Sequence, residues 1–250
     1  MQNIIKKYYL YVVCLVPIFL VAGPALPDLI LSLSVILFLY YCLNEKKSFY
    51  FKNNIFYVYI FFWTVLILGS LFSNHILFSL KSSIFHFRFI IFSFFIYYLI
   101  SNYKNFLSIF YNFLYLTLII VIFDGYIQFF FEKNLLGYEI PYAKQRLSGF
   151  FNDEWILGSY LLRTFPILLG VYFLLENPSN IKKNLIIGIT APLIILIFLS
   201  GERAAFFLII LYILILIYFL KLSKLYKRII FAALILFPLI IININDIYKE

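Results

Sequence analysis

The stretch from residue 106 to 130, "FLSIFYNFLYLTLIIVIFDGYIQFF", decides what kind of solvent this chain folds in. It exceeds the roughly 20 residues that a helix needs to cross a bilayer. Its one charge is Asp124, with Gln128 a helical turn further along the same face. Residues 131–154 follow as a longer loop, and the next apolar run begins near 155. Straddling that junction, "QRLSGFFNDEWILGSYL" (145–161) sets an Arg, two glycines, an Asn-Asp-Glu run and a Trp between two greasy segments. The pattern is that of two spanning helices joined by a polar knot.

The rest of the sequence fits the same solvent. It is 65% hydrophobic and 12% charged, against about 45–50% and about 25% in soluble domains, so a water-soluble fold could not hide its apolar surface. The expected fold is all-α, a polytopic transmembrane bundle of about nine spanning helices. The helices are expected near 8–23, 28–43, 55–72, 84–100, 106–130, 155–175, 185–200, 204–220 and 229–243. Residues 1–250 form a single integral membrane domain, with no internal repeat and no stretch polar enough for a soluble one. "GPALPD" and "SGER" read as tight turns. Lys6 and Lys7 before an apolar run resemble a signal peptide, but the next run follows at once, favouring an uncleaved first helix.

The net charge of +9 does not call for nucleic acid. The cations cluster in alternate loops, such as Lys46 with Lys47, Lys182 with Lys183 and Lys227 with Arg228. That asymmetry places the N-terminus in the cytoplasm and the 131–154 loop outside. Lipid headgroups suffice as partners for these charges. Cys14 and Cys42 lie in or beside apolar runs and read as small hydrophobes. His75 and His86, with no clustered Cys or carboxylate, do not make a metal site, and no nucleotide-binding or serine-nucleophile motif is present. No cofactor or metal is therefore expected.

Charges at membrane depth cost about 2.5–3.5 kcal/mol at a helix centre, so each needs a reason. Arg88, Asp124, Arg163 and Arg203 stand out. Asp124 paired with Arg88 or Arg163 would be a structural ion pair. Arginines gathered at the outer end would instead form an anion site, since the planar guanidinium binds two phosphate oxygens at once. Arg203 opens a helix, where its charge opposes the dipole unless an anion docks there or Glu202 compensates it. Arg146 lies in the loop just before Gly149. Asn152, Asp153 and Glu154 read as the cap and first turn of the next helix, with acid–base work or sugar-hydroxyl contact as their alternative. Trp155 reads as an interfacial anchor.

"FDGYIQFFFEKNLLGYEI", "RLSGFFNDEWILGSYLLRTFPILLG" and "FLSGERAAFFLIILYILIL", in that order, resemble the O-antigen ligase/polymerase family of bacterial inner membranes, over roughly residues 84–220. The resemblance implies a multi-pass glycosyltransferase of the inner membrane. It would move a glycan from an undecaprenyl-pyrophosphate carrier to lipid A-core or to a second lipid-linked repeat on the periplasmic face, without metal or nucleotide sugar. It implies that Arg146 and Arg203 act on the carrier diphosphate. Arg88 and Arg163 match positions where the family tends to carry arginine, and Asp124, Gln128 and Glu154 join them as candidate substrate contacts. The family continues past the position of "NINDIYKE" (243–250) into a large loop bearing the acceptor-activating group, which neither His75 nor His86 matches. On that comparison the chain carries the donor-binding half, as a fragment, a truncated product or a degenerate copy would. A flippase for a similar anionic lipid would want a polar path into the cytoplasmic half, which the sequence lacks. A non-catalytic scaffold would leave Arg146 and Arg203 dispensable.

Overall fold

The computed structural model describes residues 10–45, 51–140, 146–176 and 178–219, with side chains to residue 215. These residues are all-α. The helices are α1 (Val16–Ala22), α2 (Ala25–Asn44), α3 (Asn54–Leu71), α4 (Ile76–Phe85) and α5 (Phe87–Asn102), then α6 (Phe106–Phe131), α7 (Leu157–Leu174), α8 (Asn180–Leu199) and α9 (Arg203–Phe219). Six segments among the described residues are long and apolar enough to cross a membrane: α2, α3, the run Ile76–Asn102, α6, α7 and α8. Residues 203–215 of α9 form a shorter apolar helix. The protein is a multi-pass membrane protein.

The first of the expected helices is interrupted among the described residues. The run expected at 8–23 is helical over 10–14, turns at Leu15, and resumes as the seven-residue α1. Pro17 opens α1; with no N–H and a fixed φ it cannot continue the preceding turn. "GPALPD" is not all turn either. The break is confined to Gly23 and Pro24, with Gly23 at φ +129, and the helix restarts at Ala25. The fourth helix begins earlier than expected, at Ile76, and carries a one-residue irregularity at His86 between α4 and α5. The crossing expected at 229–243 lies outside the described residues.

Contacts divide the chain into two compact units, Met1–Leu114 and Tyr115–Glu250. In the first, α2 packs on α5 and α3 on α4. Its core is aromatic: Phe38 meets Phe95 at 5.5 Å and Tyr98 at 5.8 Å between ring centroids. Cys14 and Cys42 are buried there among apolar side chains and pack as small hydrophobes. The hydroxyls of Ser70 and Ser83 join α3 to α4: they meet each other, Ser70 Oγ also donates to the Ser79 carbonyl, and Ser83 Oγ donates to the Leu66 carbonyl, as hydrogen bonds do where lipid offers no competing partner.

In the second unit α7 packs on both α8 and α9. The last turns of α6 reach α8 through Gly125, where a Cβ would stand 2.7 Å from Leu196 Cδ2. A small residue is what such a backbone approach requires. Tyr126 donates its hydroxyl to the Pro192 carbonyl at 2.9 Å, fastening the same two helices. The end of α6, the loop after it, the start of α7 and the α8–α9 turn thus converge.

Candidate functional site

The polar residues of the second unit build a floor beneath the 132–156 loop. Glu132 leaves α6 with φ +60, turning the chain back. Asn134 then organises a tight turn, its Oδ1 accepting from Leu136 N at 3.0 Å and Tyr138 N at 2.8 Å. This side-chain mimicry of a backbone turn is characteristic of Asn. Gly137 supplies the left-handed residue at φ +85, and Lys133 closes the turn on Glu139 at 2.9 Å. The other end of Asn134 points inward, its Nδ2 donating to the Gly149 carbonyl at 2.9 Å and to Asp124 Oδ2 at 3.4 Å.

Asp124 and Gln128 hold this loop from α6. Leu135 N donates to Asp124 Oδ1 at 2.9 Å. Gln128 Oε1 accepts from Ser148 N at 3.0 Å and Gly149 N at 2.7 Å, while its Nε2 faces Ser148 Oγ at 3.3 Å. Both side chains are fully buried. Buried backbone groups outside regular structure must find side-chain partners, and these two residues supply them. Gly149, at φ +55, sits so close that a Cβ would lie 3.1 Å from Asp124 Oδ2.

A second device stands at the start of α7. The cap position, Ile156, has no capping side chain. Glu202 serves instead, from the turn between α8 and α9: Oε1 accepts from Gly158 N at 2.6 Å and Oε2 from Ser159 N at 3.1 Å, and Ser159 Oγ donates to Oε2. A carboxylate is well placed here, since a helix start presents free N–H groups and the positive end of the dipole. The turn itself needs Gly201 at φ +70. Across it lies Arg146, whose Cγ would be 3.1 Å from a Cβ at Gly201.

Several expectations change with this geometry. Asn152, Asp153 and Glu154 do not cap the helix: α7 starts at Leu157, all three are exposed, and the carboxylate that caps it is 44 residues away from Gly158. Asp124 is not the partner of Arg88 or Arg163. Arg88 pairs with Asp28 within the first unit, Nη2 to Oδ1 at 2.5 Å, and donates from Nη1 to Ser32 Oγ at 3.2 Å. Asp124 instead takes loop donors, and Arg163 is exposed on α7. Asp124 and Gln128, expected to touch substrate, hydrogen-bond the loop in this structure. Glu202 is not paired with Arg203 among the described residues; its carboxylate is occupied by α7.

What the fold does bring together is Arg146 and the turn leading to Arg203. Arg203 is the first residue of α9, as the sequence indicated, and is exposed; Arg146 is half-buried with its stem over Gly201. Glu202 was missed as a cap. No local signal pointed to it, because the acid lies 44 residues from the helix start it serves. No family model matches the chain, and comparisons with curated proteins and with solved structures give no match either.

Proposed function

We propose that the protein is a transferase of lipid-linked glycan in a bacterial inner membrane, holding the diphosphate of an undecaprenyl carrier at the periplasmic end of its second unit. The observation that carries this reading is the seating of Arg146 against Gly201, two residues before Arg203. Two arginines far apart in sequence, one in a loop and one opening a helix, thereby lie on neighbouring segments of the second unit. Guanidinium suits a diphosphate because its fork matches two oxygens at once, and it stays charged throughout any accessible pH. In glycan transfer the carrier diphosphate is the leaving group, so fixed positive charge beside it stabilises the charge that develops as the sugar–phosphate bond breaks. The acceptor is then lipid A-core or a second lipid-linked repeat. The three ordered motifs, which resemble the O-antigen ligase/polymerase family, support the same chemistry.

The roles divide accordingly. Arg146 and Arg203 contact the diphosphate. Asp124, Gln128 and Asn134 keep the loop that carries Arg146 at its depth. Arg88, held by Asp28 in the first unit, and the exposed Arg163 and Glu154 are not needed for the diphosphate contact.

The test is cellular. The gene is expressed in a strain lacking its own ligase or polymerase, and surface glycan is resolved by electrophoresis. Restored glycan that is lost in Arg146→Ala and in Arg203→Ala, with both variants present in the membrane at normal amounts, supports transfer. Glycan of unchanged length and attachment in both variants refutes it.

A further inference from the structure

We propose that Glu202 is a positioning residue for Arg203, fastening the turn that carries it to the start of α7; this rests on the diphosphate reading above. Glu202 joins two helix starts at once. Its main-chain carbonyl accepts from Phe206 N at 3.0 Å and so closes the first turn of α9. Its carboxylate takes both amides at the start of α7, Gly158 N at 2.6 Å and Ser159 N at 3.1 Å, together with the Ser159 hydroxyl. One side chain immediately before the arginine therefore ties the start of α7 to the start of α9.

The surroundings leave that turn little freedom. Ser200 is fully buried, donating from Oγ to the Ile197 carbonyl at 2.7 Å. A Cβ on Gly158 would fall 2.5 Å from this Oγ and 3.1 Å from Glu202 Oε1, so α7 is in close contact with the turn. On its other side the turn meets the Arg146 stem. The 200–202 segment is thus held between α7 and the loop, and Arg203 projects from its end.

An acid beside a cationic site invites a different role, that of the base which activates the acceptor hydroxyl. The hydrogen bonding argues against it. Both oxygens of the carboxylate are already taken by donors at the start of α7, so neither is presented to an incoming hydroxyl. The contribution of Glu202 is geometric. It matters because charge stabilisation depends on a guanidinium already standing where the phosphate oxygens arrive, and small misplacements are costly.

A double-mutant cycle separates this from a merely structural role. The full chain is placed in lipid nanodiscs and its affinity for farnesyl diphosphate is measured for Glu202→Gln, Arg203→Ala and the double variant. In Gln the amide NH2 must face a backbone N–H, so the clamp is half lost. Glu202→Gln is expected to weaken binding about tenfold, and to cause no further loss once Arg203 is Ala, the non-additivity expected of residues acting as one unit. Should Glu202→Gln fold poorly, Ser159→Ala keeps both amide bonds and is expected to show about a threefold loss with the same dependence on Arg203. Equal losses in both backgrounds, or none in either, overturn the positioning role while leaving the diphosphate reading intact. Binding unaffected by Arg203→Ala overturns both.

Discussion

Replacing Gln128 with Met tests how the loop is held. Met nearly matches Gln in volume and is at ease in an apolar interior, but it lacks the acceptor that Ser148 N and Gly149 N use at 3.0 and 2.7 Å. Both amides lie under the loop beside a fully buried side chain, so no water replaces the lost oxygen without the loop opening. A buried donor left without a partner costs about 1–3 kcal/mol, and two such donors cost roughly 2–6 kcal/mol. The chain escapes that cost by releasing the loop, so the penalty appears as local opening rather than global unfolding. Amide hydrogen exchange at Ser148 and Gly149, followed by mass spectrometry of the protein in nanodiscs, is expected to speed up by at least about tenfold, the equivalent of 1.4 kcal/mol. Tyr126→Phe is the control, since it removes a hydrogen bond from the same helix to Pro192 and leaves the loop contacts in place. Unchanged exchange at Ser148 and Gly149 in Gln128→Met would show that the glutamine does not hold the loop.

Other positions give sharper contrasts. Gly158→Ala places a methyl 2.5 Å from Ser200 Oγ; it is expected to destabilise by about 1–3 kcal/mol and lower the melting midpoint in detergent. Gly170→Ala, in the same helix with nothing within 4 Å, is expected to be neutral or slightly stabilising through better helix propensity. Asn134→Ala removes the acceptor for two turn amides and the donor to the Gly149 carbonyl, and is expected to expose the 132–140 turn to proteases that leave the parent intact. Asp28→Asn weakens an ion pair whose side chains are 26% and 48% exposed. It is expected to lower the melting midpoint in detergent, and an unchanged midpoint would show that Asp28 does not hold Arg88.

The membrane fold could be read from the sequence because apolar runs long enough to span announce themselves by composition alone. Arg203 at the head of a helix was likewise legible, since a Ser-Gly break before an apolar run is a local signal. The failures share one cause, which is distance along the chain. Asn152, Asp153 and Glu154 have the right chemistry to cap a helix, but Glu202 caps it from 44 residues beyond Gly158, and no local rule reveals that. The partner of Arg88 is 60 residues back, at Asp28, so a search among the conspicuous mid-helix charges could not find it. Asp124 and Gln128 stood out in the sequence as polar residues on an apolar helix. Their targets, though, are backbone amides of a folded-back loop, and backbone donors carry no signature in a sequence.

The central claim is that Arg146 and Arg203 stand over a shared diphosphate site, and photo-crosslinking tests it most directly. The probe is a polyprenyl diphosphate with a photoreactive group on its terminal phosphate, and its neutral polyprenol counterpart is run in parallel. The diphosphate probe should label the peptides containing Arg146 and Arg203, and free undecaprenyl diphosphate should compete the label away. Label spread over the apolar helix faces, or an identical pattern from the neutral probe, would contradict the account.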